Sequence, residues 1–225
     1  MKVSLEECLL RISFEEPQKT LSWAIYGGGK NLSDTILWIQ VSREDLSLSV
    51  DPKQWITNYL YQRNFPDAVA MLTSANVTLF QDIERWNETF SVRCISTVGL
   101  TNALRVGDPP AREMLRLGTI NLLCAISIPL SEEAHLEALS IAAEARTAAV
   151  LNAHLPSTES GHLATGTGTD CIVVSAPASG FENNLTYYAG KHTPLGSLIG
   201  RAVYDSVQLG VEQWKIDSEN QRRNH

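Results

Sequence analysis

A nearly unbroken apolar segment at residues 118–130 (GTINLLCAISIPL) constrains the fold more than any other part of the chain. A strand with one solvated face alternates apolar and polar residues, and this segment does not alternate. It therefore predicts a strand that is buried on both faces, in a sheet that is covered on both sides. Ser131 follows directly as a helix cap, with Glu132 and Glu133 in the first turn, where the helix dipole favours negative charge.

Further strands are indicated by short runs rich in Ile, Leu, Val and Trp. Turn residues at 16–18 (EPQ) and 27–31 (GGGKN) separate the first three runs, which predicts a meander of sequential antiparallel strands. Residues 81–88 are ambiguous. The predicted strands are 8–14, 20–26, 34–41, 69–73, 91–98 and 170–176.

Helix signals occur at three places. Asp51 and Pro52 predict a helix that runs to about Arg63, and Thr193-Pro194 predicts a last helix that ends near Trp214. Apolar residues at helical spacing after Ser131 predict one inward stripe. The members of that stripe are Leu136, Leu139, Ala143 and Val150.

These elements predict a single α+β domain over residues 1–217, followed by a polar, frayed tail at 218–225. We expect a mixed, largely antiparallel sheet covered by about three helices, with a layered α/β sandwich as the alternative.

The charge of the 225-residue chain disfavours two classes of partner. Its 18 Lys and Arg against 25 Asp and Glu give a net charge of −7, so general nucleic-acid binding and anionic membranes are disfavoured. No apolar run is long enough to span a bilayer, and the acidic N-terminus is not a signal peptide.

The four cysteines have no CxxC spacing and predict buried, reduced thiols of a cytoplasmic protein. They are Cys8, Cys94, Cys124 and Cys171.

Two loops carry groups suited to chemistry. Residues 159–171 (ESGHLATGTGTDC) interleave threonines with glycines and end at Asp170, which offers hydroxyls and close backbone approach to a ligand. Residues 187–196 (YYAGKHTPLG) place Lys191 and His192 just before a helix start, where negative charge is favoured. The plain alternatives are a tight hydrogen-bonded turn and a solvated helix cap.

A metal site is not predicted. His154, His162, Asp170 and His192 lie in neighbouring loops, but neither HExxH nor another paired-ligand spacing is present. His135, early on a helix, is interpreted as a surface residue.

Taken together, six segments resemble the adenosylcobinamide amidohydrolase family. The resemblance covers about residues 15–212, and position 146 is Arg where that family would have Lys. The segments are 71–76 (MLTSAN), 99–109 (GLTNALRVGDP), 118–121 (GTIN), 144–147 (EART), 164–174 (ATGTGTDCIVV) and 188–200 (YAGKHTPLGSLIG).

This resemblance implies hydrolysis of the amide between the corrin propionyl side chain and aminopropanol, which yields adenosylcobyric acid for cobalamin salvage. The corrinoid is then the substrate, and no cofactor is implied. The oligomeric state stays open, with a homo-oligomer as one option. Two other functions also stay open: a corrinoid-binding or regulatory protein without turnover, and an amidohydrolase of another substrate.

The two loops supply the groups that amide hydrolysis needs, and we expect them to meet at one cleft with Asp170 at its edge. Water attack with Asp170 or His192 as base is the first mechanism, and a threonine nucleophile is the second. The predicted catalytic residues are Asp170, His192, Lys191, Thr167 and Thr169, with Lys191 as oxyanion stabiliser. The predicted substrate-binding residues are Thr165, Gly166, Gly168, Asn102, Asn121, Glu144, His162 and Thr193.

Overall fold

A computed structural model of the chain describes residues 1–42, 44–46, 49–110, 118–179 and 185–223. The strands of this part are β1 Lys2–Glu6, β2 Leu9–Ser22, β3 Gly29–Gln40, β4 Val69–Thr73, β5 Gln81–Trp86, β6 Ser91–Val98, β7 Ala103–Leu104, β8 Ile120–Ile126, β9 Gly166–Thr167 and β10 Cys171–Pro177. Its α-helices are α1 Pro52–Gln62, α2 Glu132–Asn152 and α3 Pro194–Arg223. A single 3₁₀ turn covers Val77–Leu79. The prediction of an α+β domain with a mixed sheet and three helices is confirmed for these residues.

The main sheet has the strand order β4-β3-β2-β10-β8-β6-β5, and β1 pairs with the first half of β2. The pairs β3–β4 and β8–β10 are parallel, and the neighbours β2–β3, β2–β10, β6–β8 and β5–β6 are antiparallel. A separate two-stranded ladder joins β7 to β9. Because β8 runs parallel to β10 and antiparallel to β6, the starts of β8 and β10 and the end of β6 lie at one edge of the sheet, which we call the Asp170 edge.

Strong curling brings the two halves of the sheet together. Asn121 Nδ2 in β8 donates a hydrogen bond of 2.8 Å to the Leu72 carbonyl in β4, although three strands lie between them in the sheet. A buried apolar cluster fills the space between the halves, with Trp38 from one half and Leu123 from the other. Helix α1 covers the outer face of β3 and β4, and helices α2 and α3 cover β6, β8 and β10. Strand β8, which forms the middle of the apolar segment, is therefore covered on both faces, as predicted, whereas the predicted strand at 118–130 is too long because residues 127–130 follow the strand.

The predicted turn at residues 16–18 is wrong. Strand β2 runs through it, and the pairing with β3 shifts register between Ser13 and Gln18. Pro17 has no N–H to donate to a regular ladder. It is tolerated inside β2 because the pairing with β3 is irregular between Ser13 and Gln18, so no donor is needed at this position. The predicted strand at 20–26 accordingly belongs to the end of β2 and stops at Ser22. The ambiguous residues 81–88 contain β5.

The inward face of α2 differs from the predicted stripe. Leu136 is 56 % exposed, and the buried face is built mainly from alanines. Small side chains let the helix backbone lie close to the sheet. This close approach leaves little room for a leucine on the inward face, and Leu136 lies on the solvent side. His135 was interpreted as a surface residue, and this is wrong: it is buried, with both ring nitrogens near the carbonyls of Ser131 and Lys19.

The predicted helix starts are confirmed, and the predicted end of the last helix is too early. The side chains of Asp51 and Ser131 accept hydrogen bonds from backbone N–H groups of the first turns of α1 and α2. Helix α3 begins after Thr193 as predicted, but it continues beyond Trp214 to Arg223, so residues 218–223 of the predicted tail are helical. Residues 224–225 lie outside the described part.

The reactivity of the four cysteines tests which of them are buried in the core. Cys94, Cys124 and Cys171 are buried as predicted, whereas Cys8 is exposed, which corrects the expectation for that residue. Burial raises the pKa of the Cys94 and Cys171 thiols to about 12 and raises that of Cys124 well above its ordinary value. A thiol whose pKa lies far above the solution pH stays protonated and does not react.

We therefore expect one thiol per chain to react with Ellman's reagent at pH 8 in the native protein, and all four to react in denaturant. Replacing Cys8 by Ser should remove the native reaction. Rapid labelling of more than one thiol under native conditions would contradict the burial of the other three.

Candidate active site at the Asp170 edge

The carboxylate of Asp170 is the centre of a buried network. Its side chain is 6 % exposed and ion-pairs with Arg146 on α2. One oxygen accepts from the Ile120 N–H at 2.9 Å and from the Thr167 hydroxyl at 2.5 Å. The other accepts from the Thr167 N–H at 2.9 Å and from the Arg146 guanidinium. A carboxylate has about four lone-pair sites, so these donors occupy all of them.

The sequence expectation that Asp170 lies at the edge of a cleft is wrong in this respect. Its carboxylate lies inside the network, and its cationic partner is Arg146, while Lys191 pairs with Glu144. Thr167 is half-buried, whereas Asp170 is buried. Of the two residues, Thr167 is therefore the one more open to a ligand at this edge.

Gly166 is required by the close approach of the turn to this ion pair. A Cβ at this position would clash with Asp170 Oδ2 and would lie 2.5 Å from the Arg146 guanidinium. Sequence reasoning noted Arg146 as a departure from the expected Lys but assigned it no role. A signal that could have pointed to Arg146 was present, since residues 144–147 formed part of the resemblance.

The segment before β8 is bonded directly to this turn. The Thr119 hydroxyl donates to the Thr169 carbonyl at 2.8 Å, and the Thr169 hydroxyl donates to the Gly118 carbonyl at 3.1 Å. Gly118 in turn packs against Asn102, whose side-chain oxygen is buried and has no hydrogen-bond partner in the described residues. The segments 99–102, 118–121 and 166–170 thus meet at one edge of the sheet.

The loop after β7 is held to the loop that precedes β9. Ser157 donates to the Asp108 carboxylate at 2.5 Å, and hydroxyl donors, Ser157 first, lower the pKa of Asp108. The backbone N–H of Val106 donates to the Thr165 hydroxyl at 2.8 Å. Thr165 therefore anchors this contact, while Gly168 and His162 are exposed at the surface of the same loop.

A cavity of about 440 Å³ lies beside this edge. It is enclosed by the segments that follow β4 and β6 and by the C-terminal half of α3. Residues 74–76, from one of the segments that carry the resemblance, form part of its wall. Sequence analysis assigned no cavity here, because the curl that brings β4 to β8 is a tertiary feature with no local signature.

The second predicted loop begins at the other end of the sheet. Thr186 pairs with Leu130, beyond the end of β8, and β10 separates this end from Asp170 by about 20 Å of strand. Lys191 ion-pairs with Glu144 on α2, and the Thr193 hydroxyl caps α3 by accepting from the Gly196 N–H at 2.9 Å. His192 is exposed.

The prediction that both loops share one cleft is therefore wrong. They contact one helix at separate places, because Glu144 and Arg146 leave α2 on different sides. The Asp170 edge brings together Thr165, Gly166, Thr167, Gly168, Thr169, Asp170, Asn102 and Asn121. It does not bring in Glu144, Lys191, His192 or Thr193, and the catalytic and binding roles assigned to all these residues stay predictions.

No group of three or more His, Cys, Asp and Glu side chains in the described residues is placed to hold a metal ion. Among the same residues, none of the helices is long and apolar enough to cross a membrane.

A charge-paired polar cluster beside a cavity, at the strand ends of a covered sheet, is typical of a small-molecule site. The family model for adenosylcobinamide amidohydrolase matches residues 1–219, and the chain belongs to this family. The match begins earlier and ends slightly later than the resemblance seen in the sequence.

The relatives are distant. The chain is 29 % identical over 152 residues to the adenosylcobinamide amidohydrolase of Methanosarcina mazei, which covers 64 % of this chain and 66 % of that protein. It is 31 % identical over 170 residues to the uncharacterized protein MJ1613 of Methanocaldococcus jannaschii, which covers 67 % and 65 %. The matches thus span just under two thirds of these relatives. Among solved structures, the PH0078 protein of Pyrococcus horikoshii OT3 overlaps 95 % of this chain and 78 % of its own, with TM-score 0.44 and 10 % identity.

Proposed function

We propose that this protein hydrolyses the amide bond between the corrin side chain and aminopropanol in adenosylcobinamide, at the Asp170 edge. The observation that carries the proposal is the convergence of four segments, 74–76, 99–102, 118–121 and 166–170, at one edge of the sheet beside a cavity. Family membership supports the choice of substrate.

The geometry favours Thr167 as the group that meets the amide carbonyl. Its hydroxyl donates to Asp170 at 2.5 Å, and Arg146 holds that carboxylate from the other side. A hydroxyl next to an oriented base is the usual arrangement of an activated nucleophile. Asp170 has no remaining lone pair for a water molecule, so direct activation of water by this carboxylate is less well supported.

The proposed reaction has two steps. The Thr167 oxygen bonds to the amide carbon while its proton passes to Asp170, and the C–N bond breaks as the amine nitrogen takes up that proton. Water then hydrolyses the resulting ester, which releases the corrinoid carboxylic acid and restores the hydroxyl. The N–H of Gly168, which donates no hydrogen bond within the described residues, is placed next to Thr167 as a candidate oxyanion donor.

The test is release of aminopropanol from adenosylcobinamide by the purified protein. We expect Thr167→Val to lower kcat by at least about 10²-fold, while Thr167→Ser keeps substantial activity. Thr89→Val, at an exposed threonine outside the site, is the matched control. Melting temperatures of all variants separate loss of chemistry from loss of folding.

Two results would contradict the proposal in different ways. If Thr167→Val is fully active, or if His192→Ala abolishes turnover, the chemistry does not occur at this edge. If the wild-type protein binds adenosylcobinamide and releases no aminopropanol, the chain is a corrinoid-binding protein instead.

A further inference from the structure

The cavity beside the Asp170 edge has a wall of hydrogen-bonding side chains that the fold itself does not use. Ser74, Thr101 and Gln213 line it, and within the described part of the chain none of their side chains makes a hydrogen bond. Polar groups that face a cavity without protein partners are available to a ligand that both donates and accepts. Their presence on three separate segments indicates a binding wall rather than a local turn.

The charge of this wall limits the ligand further. Asp217 is the charged residue among the described residues that line the cavity, and the other polar members carry hydroxyl or carboxamide groups. The indole of Trp214 adds a flat apolar surface. Amides and hydroxyls pair well with a neutral, planar group that has an acceptor and a donor, and a primary carboxamide has this combination.

We infer that this cavity binds the peripheral carboxamide arms of the corrinoid, a role that rests on the proposed function. A whole corrinoid, ring and arms together, is larger than a cavity of about 440 Å³, so the cavity takes only part of it, and its hydroxyl and carboxamide lining suits the arms. Gly99 lines the cavity and packs against Gly118, which is bonded to the Thr169 turn. Arms held here therefore fix the position of the ring relative to Thr167.

The test compares two corrinoids that differ in these arms. Cobyric acid keeps the carboxamides, and the methyl ester of cobyrinic acid replaces them with groups that accept but do not donate. Titration calorimetry measures both dissociation constants for the wild-type protein, for the triple variant Ser74→Ala, Thr101→Val, Gln213→Leu, and for the control Gln54→Leu on α1.

We expect the triple variant to bind cobyric acid about tenfold more weakly or worse, with the ester unchanged within about twofold. The KM for adenosylcobinamide should rise in parallel while kcat stays close to the wild-type value. Unchanged binding of cobyric acid overturns the inference, and so does an equal loss for amide and ester, since that indicates a structural role.

The inference and the proposed function fail separately. Aminopropanol release without any difference between amide and ester binding overturns the carboxamide site alone. A clear difference in binding without any release overturns the hydrolase alone. A protein that binds neither corrinoid contradicts both.

Discussion

Replacing Asp170 by Asn is expected to lower the free energy of unfolding by about 3 kcal/mol or more, because it removes one partner of a buried ion pair. The side chains of Asp170 and Arg146 are 6 % and 15 % exposed, so the guanidinium would be left largely desolvated without its carboxylate. The new amide group would also face N–H donors that the carboxylate now accepts from. Urea unfolding of wild type and variant measures the difference.

The matched control is Asp82→Asn, which breaks an ion pair with Arg93 whose side chains are 28 % and 29 % exposed. Solvent screens such a pair, so we expect a loss below about 1 kcal/mol. An Asp170→Asn protein with normal stability, normal substrate binding and no turnover would show that the carboxylate acts in the chemistry alone. That result would support the sequence-based hypothesis against the structural role.

Replacing Gly196 by Ala is expected to destabilise the protein by about 1–3 kcal/mol through overpacking. The new Cβ would clash with the Gly190 carbonyl and lie 2.5 Å from the Ala189 carbonyl. Both are backbone atoms, and they belong to the loop whose Ala189 N–H is held by Glu137 at 2.7 Å. Moving the loop to make room would strain that contact.

Gly200, one turn further along α3, provides the control. The nearest atom to its added Cβ is a methyl of Ile141 at 4.0 Å, so the space is open. Alanine is the better helix former, and Gly200→Ala should raise stability by roughly 0.5–1 kcal/mol. Thermal or urea unfolding of the two variants should therefore shift in opposite directions. Equal shifts would contradict the packing of this loop on α3.

Local signals in the sequence predicted the helix starts well. A capping side chain and a proline at the first helical position act within one turn, so Asp51, Ser131 and Thr193 could be identified without tertiary information. The turn at residues 16–18 could not be judged in this way. Whether Pro17 ends a strand or lies within one depends on the register of β3, which is a contact between distant parts of the chain.

The sequence predicted which residues form the turn at Asp170 better than it predicted which side chains lie beside them. The glycine-threonine turn and Asp170 were identified, but the partner of Asp170 depends on how α2 crosses the start of β10. Lys191 and Arg146 are both cations in segments that carry the resemblance, and the sequence does not say which of them lies beside Asp170. Only the packing of α2 decides that Arg146 meets the carboxylate while Lys191 meets Glu144.

The position of β10 in the sheet affects how the chain can be synthesised. This strand enters between β2 and β8, and Val173 pairs with Ser22, so the middle of the sheet closes only when most of the chain has left the ribosome. Contacts of such long sequence separation form slowly. Until β10 arrives, one side of β2 and one side of β8 present unpaired backbone to other nascent chains. Late insertion of this strand therefore exposes the nascent chain to aggregation during translation.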